Sequence, residues 1–314
     1  MSAPQTLFEV RRAGPLALLQ DAGRFGVRRL GVTQGGPADA HAWAWANRLV
    51  GNAWGTTGLE ITMGGLELVC RSEAVIAVCG ADLGASLDGE ALPLWQGLRV
   101  EAGQRLSFQQ PVNGLRAYLA VAGGFEAEQV LGSTATVTRE GLGGLHGDGQ
   151  PLQEGDRLSR AAGPSGLQPG QQAPADAIID YRQAPRLALI PGAQVAAFEG
   201  RSLYQAFNAT WQVDDRADRM GVRLRGPELK CRSGGMISEG IGPGAVQVPP
   251  DGQPIALLND RQTIGGYPRL GALTPLACAR LAQCLPGQQV RLQPTSLEQA
   301  SRAYRAFRSC FGES

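Results

Sequence analysis

From Met236 to Gly271 the chain reads MISEGIGPGAVQVPPDGQPIALLNDRQTIGGYPRLG. Two short apolar runs, Ala245-Val246-Gln247-Val248 and Ile255-Ala256-Leu257-Leu258, are set among glycines and prolines, which is the pattern of short strands joined by tight turns. Around them stand Ser238, Glu239, Gln247, Asp251, Gln253, Asn259, Asp260, Arg261, Gln262, Thr263 and Tyr267. Hydrogen-bonding side chains at the ends of buried strands suit a pocket for a small amide- or carboxylate-bearing molecule, because nearby glycines let backbone approach a ligand closely. Spacing alone equally allows a turn-rich barrel rim whose polar groups satisfy one another.

Working outward, this stretch is half of an internal repeat. Glu239 lies 16 residues before Ile255-Ala256, and Glu60 lies 16 before Ile76-Ala77. Arg219-Met-Gly-Val-Arg223 matches Arg24-Phe-Gly-Val-Arg28, and Pro286-Gly-Gln-Gln-Val290 answers Ala102-Gly-Gln-Arg-Leu106. Collinear echoes at nearly constant offset indicate two copies of one unit. Strand-like segments at Leu7–Val10, Leu16–Leu19, Leu66–Cys70, Val75–Val78, Leu98–Val100, Leu106–Phe108 and Ala117–Val121 are short and closely spaced, so the unit is expected to be a closed antiparallel barrel and the fold mainly β. The predicted domains are residues 1–165 and 187–314, joined by a linker over 166–186 whose surroundings are rich in Pro, Gly, Gln and Ala.

A few short helices interrupt the strands. One is predicted over Asp39–Val50, with Asp39 as N-cap, and another over Ser202–Ala209. A third starts at Thr274-Pro275 and stops before Pro286-Gly287, and a C-terminal one opens on a capping box at Thr295 and Glu298.

Composition excludes several function classes. The 314 residues are 43% hydrophobic and 18% charged, with 29 Lys plus Arg against 28 Asp plus Glu and no basic block, so nothing points to nucleic acid or an anionic membrane. The N-terminus, MSAPQTLFEVRRAG, lacks the apolar core of a signal peptide, and no run approaches the ~20 apolar residues of a membrane span; a cytoplasmic location is expected. Cys70, Cys79, Cys231, Cys278, Cys284 and Cys310 form no C-x-x-C pair and read as reduced core residues. Only His41 and His146 occur; His41 is expected at the surface, and no metal site is expected.

No P-loop is present, and Gly240-Ile-Gly-Pro-Gly244 leads into a strand-like run instead of opening a helix, so this chain by itself has neither familiar nucleotide grip. Gly-x-Ser-x-Gly is absent, and Ser238 has no nearby histidine. The remaining candidates are carboxylates, amides and a tyrosine. Glu239, Asp251 and Asp260 become general acids or bases if burial raises a pKa towards neutrality, with Tyr267 beside them. Gln247, Gln253 and Gln262 are suited to orient an amide, Gly265 and Gly266 to admit close approach, and Arg219 or Arg269 to clamp a carboxylate. The first half has no counterpart of Pro249-Pro-Asp-Gly-Gln-Pro254 or Gly265-Gly-Tyr-Pro268, so the pocket is expected on the second barrel.

Several segments together resemble one family: Gly31-Val-Thr-Gln-Gly-Gly-Pro-Ala-Asp39, Ala46-Asn-Arg-Leu-Val-Gly-Asn52, Leu59-Glu-Ile-Thr62, Gly80-Ala-Asp82, Arg116-Ala-Tyr-Leu-Ala-Val-Ala-Gly-Gly124, Asp218-Arg-Met-Gly221, Ser238-Glu-Gly240, Val248-Pro-Pro-Asp-Gly-Gln-Pro-Ile255 and Asp260-Arg-Gln-Thr-Ile-Gly-Gly-Tyr-Pro268. It is the biotin-dependent carboxyltransferase-like family, also called allophanate hydrolase subunit 2. The resemblance runs from about Val10 to about Gln293; Gln34-Gly-Gly before Pro37, and Ala38, depart mildly from its usual pattern. It implies two cyclophilin-like β-barrel subdomains. Free-standing members include the C subunit of the ATP-hydrolysing 5-oxoprolinase, which implies a sister B subunit of the same fold, a third, hydrolase-type A subunit, and no turnover by this chain alone. ATP would then be used by the complex. An alternative implied by urea amidolyases is carboxyl transfer from carboxybiotin, although the chain's one lysine, Lys230, lies in Glu-Leu-Lys-Cys and not in a biotinyl context. A further alternative is a regulatory protein that antagonises its sister subunit.

Overall fold

The structure is a computed structural model that describes residues 5–161, 170–232 and 236–313. Two compact units emerge: residues up to Phe25 with Gly35–Asp180, and Gly26–Gln34 with Tyr181 onwards. Of the segment predicted as a linker, residues 166–169 lie outside the described residues. The part from Gly170 is hydrogen-bonded chain: Gly170 N–H donates to Gly97 O, Gly97 N–H donates to Gln171 O, and Ala173 N–H donates to Trp95 O.

In the first unit the strands form two sheets. One runs in the order Arg157–Ser159, Thr6–Ala13, Leu66–Cys70, Arg105–Ser107, Ser86–Leu87, Glu90–Ala91; the other runs Leu16–Gln20, Gly58–Thr62, Asn113–Val121, Ala74–Asp82, Gly97–Val100. Alternation decides which side chains face inward. Phe8, Val10, Leu66 and Leu68 from one sheet meet Leu59, Ile61, Ile76, Val78, Leu119 and Val121 from the other in a single core, all fully buried. Helix α1 (Ala40–Leu49) begins where expected, with the Asp39 carboxylate accepting from Ala42 N–H at 3.0 Å. It is buried nearly all round. Trp43 seats its indole N–H on Gln20 O at 3.1 Å, and His41, expected at the surface, is half-buried with its ring 5.9 Å from that of Trp95.

The second unit is a closed barrel of Arg186–Pro191, Arg269–Leu273, Ala245–Gln247, Ile255–Leu257, Gly221–Arg225, Trp211–Ala217 and Gln289–Pro294. All neighbours pair antiparallel except the closing pair, Arg186–Leu189 against Arg291–Pro294, which is parallel. Helix α2 (Gly200–Asn208) starts two residues earlier than predicted, and α3 (Pro275–Leu281) is capped by Thr274. Helix α4 (Leu297–Ser309) does carry a capping box, shifted by one residue: Ser296 Oγ accepts from Gln299 N–H at 3.1 Å, and Gln299 reaches back to Ser296 N–H. A Gln at the third helical position serves as well as the Glu298 that was predicted. Among the described residues, no helix is long and apolar enough to cross a membrane.

Candidate functional site

The two loops that lack a first-half counterpart border one cavity of about 500 Å³ in the second unit. Pro249 and Pro250 form one wall, and Gly266, Tyr267 and Pro268 form another. Met236, Lys230, Glu228 and Glu199 complete the polar and apolar lining. The volume falls in the usual range for small-molecule sites, roughly 300–1,000 Å³.

Each wall is held by local chemistry. Pro249–Gly252 is a tight turn in which Gly252 N–H returns to Pro249 O at 2.9 Å. Gly252 sits at φ +70°, and a Cβ there would lie 2.5 Å from Glu228 Cγ and 2.7 Å from Leu229 N. Only glycine lets the 228–231 segment close onto the turn, which Leu229 N–H does by donating to Gly252 O at 3.0 Å. Gln253 pins the other side, accepting from Gly226 N–H at 2.8 Å and donating to Gly226 O at 3.3 Å. The opposite wall rests on the two-stranded pairing of Glu239–Gly240 with Ile264–Gly265. A Cβ on Gly266 would lie 2.9 Å from Met236 O, so this loop too needs its glycine.

The cavity gathers Gly266 and Tyr267 from the sequence-predicted set and leaves the others elsewhere in the unit. Tyr267 is partly exposed at its mouth. Glu239 is exposed and engaged by Arg269, with Gln194 Nε2 donating to it at 3.3 Å. Asp251 pairs with Arg223, and its Oδ1 accepts from Gln253 N–H at 3.1 Å. Asp260 and Arg219 form a bidentate pair at 2.8 and 3.0 Å, both buried. Each of the three carboxylates therefore faces an arginine instead of the cavity. Gln253 holds a loop, and Gln262 is half-buried on the connection that follows Arg261. Gln247 is 2% exposed and its Nε2 has no hydrogen-bond partner. It faces Gly265, where a Cβ would stand 2.8 Å from that nitrogen.

Sequence reasoning missed Lys230, Glu228 and Glu199 as lining residues. Their approach depends on Gly252 contacting residues 228–229, and no local pattern encodes that contact. Of the cysteines, Cys70, Cys79, Cys278 and Cys284 are buried, as a core role requires, while Cys231 is half-buried and lines the cavity, and Cys310 is exposed. Burial pushes the Cys278 and Cys284 thiols up to about 12, which removes them as nucleophiles near neutral pH. Among the described residues, no group of His, Cys, Asp or Glu is arranged to hold a metal ion.

The chain is similar to known proteins along nearly its full length. It is 38% identical over 300 residues to the C subunit of the 5-oxoprolinase of Escherichia coli, covering 95% of this chain and 94% of that one. Against the C subunit of the 5-oxoprolinase of Haemophilus influenzae the identity is 34%, covering 92% and 91%. The crystal structure of Kluyveromyces lactis urea carboxylase superimposes with a TM-score of 0.91 at 27% identity over 99% of this chain, which spans only 29% of that chain. Residues 30–294 match the profile of the carboxyltransferase domain, subdomain A and B, and this chain belongs to that family.

Proposed function

We propose that the chain is the C subunit of an ATP-dependent 5-oxoprolinase, opening 5-oxoproline to glutamate in the cytoplasm together with a sister B subunit of the same fold and a hydrolase-type A subunit. The observation that carries this is the 38% identity extending along 94% of a protein named as the C subunit of 5-oxoprolinase. The cavity is compatible with the substrate. Lys230 supplies a cation for a carboxylate, Tyr267 supplies a hydroxyl for the lactam, and the proline faces supply an apolar bed for the ring.

A lactam resists attack by water because its carbonyl carbon is weakly electrophilic. Coupling to ATP, which the family resemblance implies, supplies the activation. This chain has neither familiar nucleotide grip: the glycines at 240–244 lead into the strand Ala245–Gln247, and the sequence has no P-loop, so we assign no ATP contact and no phosphoryl step to it. Its residues bind and orient; the purified chain turns nothing over.

The test is reconstitution. The three-subunit complex should convert 5-oxoproline to glutamate with ATP, and Lys230→Gln or Tyr267→Phe should lower kcat/KM at least tenfold while the melting temperature moves by no more than a few degrees. An inactive complex, with the other two subunits proven competent beside a C subunit from another source, rules the reading out. The family's carboxyltransferase name and the urea carboxylase likeness support a second reading, carboxyl transfer from carboxybiotin near Gly265-Gly266-Tyr267. Calorimetry with free biotin separates the two: heat of binding supports transfer, and its absence alongside 5-oxoproline turnover removes it.

A further inference from the structure

The second unit buries a cation that its own residues leave largely unsatisfied. Arg261 is 3% exposed, yet its guanidinium makes one hydrogen bond, from Nη1 to Leu258 O at 3.1 Å, and its buried Nε has no partner. Arg28, carried on the Gly26–Gln34 segment of the same unit, is half-buried and likewise makes one hydrogen bond, to Ile241 O, with its buried Nε unpartnered. A guanidinium has five N–H donors and stays charged in proteins. Among the described residues, neither arginine has a carboxylate within ion-pair distance, because the adjacent Asp260 is taken by Arg219 through both oxygens. The two cations act on each other: burial foremost, and then Arg28, lower the Arg261 pKa to about 10.

Other buried arginines of this protein meet more acceptors. Arg24, 1% exposed, donates to Val130, Ser133 and Ala135 carbonyls, and Arg219 has its carboxylate. A buried charge short of hydrogen-bond partners is among the costliest arrangements in a fold, and here the buried Arg261 lies beside the half-buried Arg28, with the nearby Asp260 already held by Arg219. A third free donor lies on the Arg28 side. Gln247 Nε2 and Ile241 Cδ1 both crowd the Cβ position of Gly265, and Ile241 is the residue whose carbonyl Arg28 holds.

We infer that Arg28 and Arg261 form a binding site for a small oxyanion, a carboxylate or an inorganic phosphate group, whose oxygens accept from the donors that the protein leaves open. Planar, bidentate recognition of such groups is what paired guanidinium forks do well. The inference does not depend on the assignment to 5-oxoprolinase.

The experiment is thermal unfolding and calorimetry of the full chain with sodium phosphate, sodium acetate or 5-oxoproline, each against sodium chloride at equal ionic strength. At least one oxyanion should raise the melting temperature by several degrees above chloride. Arg28→Gln, at a half-buried position with one hydrogen bond to lose, should weaken that anion at least tenfold, and Arg28→Lys should fall between. Stabilisation by phosphate alone identifies a phosphoryl group as the ligand, and by acetate or 5-oxoproline alone a carboxylate. No oxyanion effect beyond chloride, or an effect unchanged in Arg28→Gln, overturns the inference. Arg261→Gln is a second, harsher variant, and its failure to fold would leave the Arg28 result decisive.

Discussion

The matched segments of the two halves behave in opposite ways. Ala102-Gly-Gln-Arg-Leu106 and Pro286-Gly-Gln-Gln-Val290 fold alike: Gly103 and Gly287 take φ +93° and +85°. Their N–H groups donate to Cys70 and Val213 carbonyls, each at 2.8 Å. Gln104 and Gln288 accept from the N–H three residues back, at 2.7 and 3.2 Å. By contrast, Gly221–Arg225 is a barrel strand, while Arg28, the counterpart of Arg223, opens the short 3-10 helix Arg28–Leu30 and belongs to the second unit. Glu60 sits fully buried in a central strand, accepting from Ala38 N–H and Tyr118 Oη at 2.8 Å each; Glu239 is exposed in a two-stranded ribbon. A turn is set by residues within four positions and so repeats faithfully. A strand takes its role from partners far along the chain, and those diverged.

The largest test of this contrast sets the buried arginines against each other. Asp260→Ala strands Arg219 without its carboxylate and should cost ~3–5 kcal/mol in urea unfolding. Arg24→Met removes the charge with its donors and leaves the Val130, Ser133 and Ala135 carbonyls without it, for a smaller loss of ~1–3 kcal/mol. Equal losses would mean that both arginines are held in the same way.

The matched glutamates come next. Glu60→Gln removes a buried negative charge that accepts from Ala38 N–H and Tyr118 Oη and pairs with buried Arg116, and should destabilise by ~1–3 kcal/mol, whereas Glu239→Gln weakens a surface pair with Arg269, worth less than ~1 kcal/mol. A comparable cost for Glu239 would show that its ribbon is more than an appended edge.

Acid sensitivity should concentrate in the second half. Buried Asp214 is held well below the usual carboxylate range, foremost by the hydrogen bond from Arg216 and also by that from Arg225. Its unfolded pKa is higher, so the unfolded chain takes up the proton first, and the stabilisation is present above about pH 4 and lost as pH falls below it. The melting temperature of Asp214→Asn should therefore be lower at neutral pH and decline less steeply than wild type between about pH 5 and 2. Parallel curves would remove Asp214 from the acid response.

The smallest effect sharpens the comparison from its similar side. Gln104→Ala and Gln288→Ala each delete the same side-chain acceptor from the same turn. Each should lower stability by about 1 kcal/mol or less, with Gln288 somewhat the costlier because its Nε2 also donates to Tyr181 O at 2.9 Å.

What the sequence determined by itself was whatever depends on short range. Short apolar runs announced strands in both halves, Asp39 and Thr274 announced helix starts, and collinear matches such as Ala102–Leu106 with Pro286–Val290 announced the repeat. The loops Pro249–Pro254 and Gly265–Pro268 stood out because only one copy carries them, and both do border the cavity. Tertiary structure alone decided which polar groups meet. Asp251, Asp260 and Glu239 looked like free acids in the chain, yet each faces an arginine from another strand or loop. Lys230 entered the site because Gly252 lets two backbones touch. Arg28 joined Arg261 because a nine-residue segment, Gly26–Gln34, left the unit it is written in. Side-chain chemistry is legible one residue at a time, but burial and partnership are properties of contacts between residues that sequence distance does not encode.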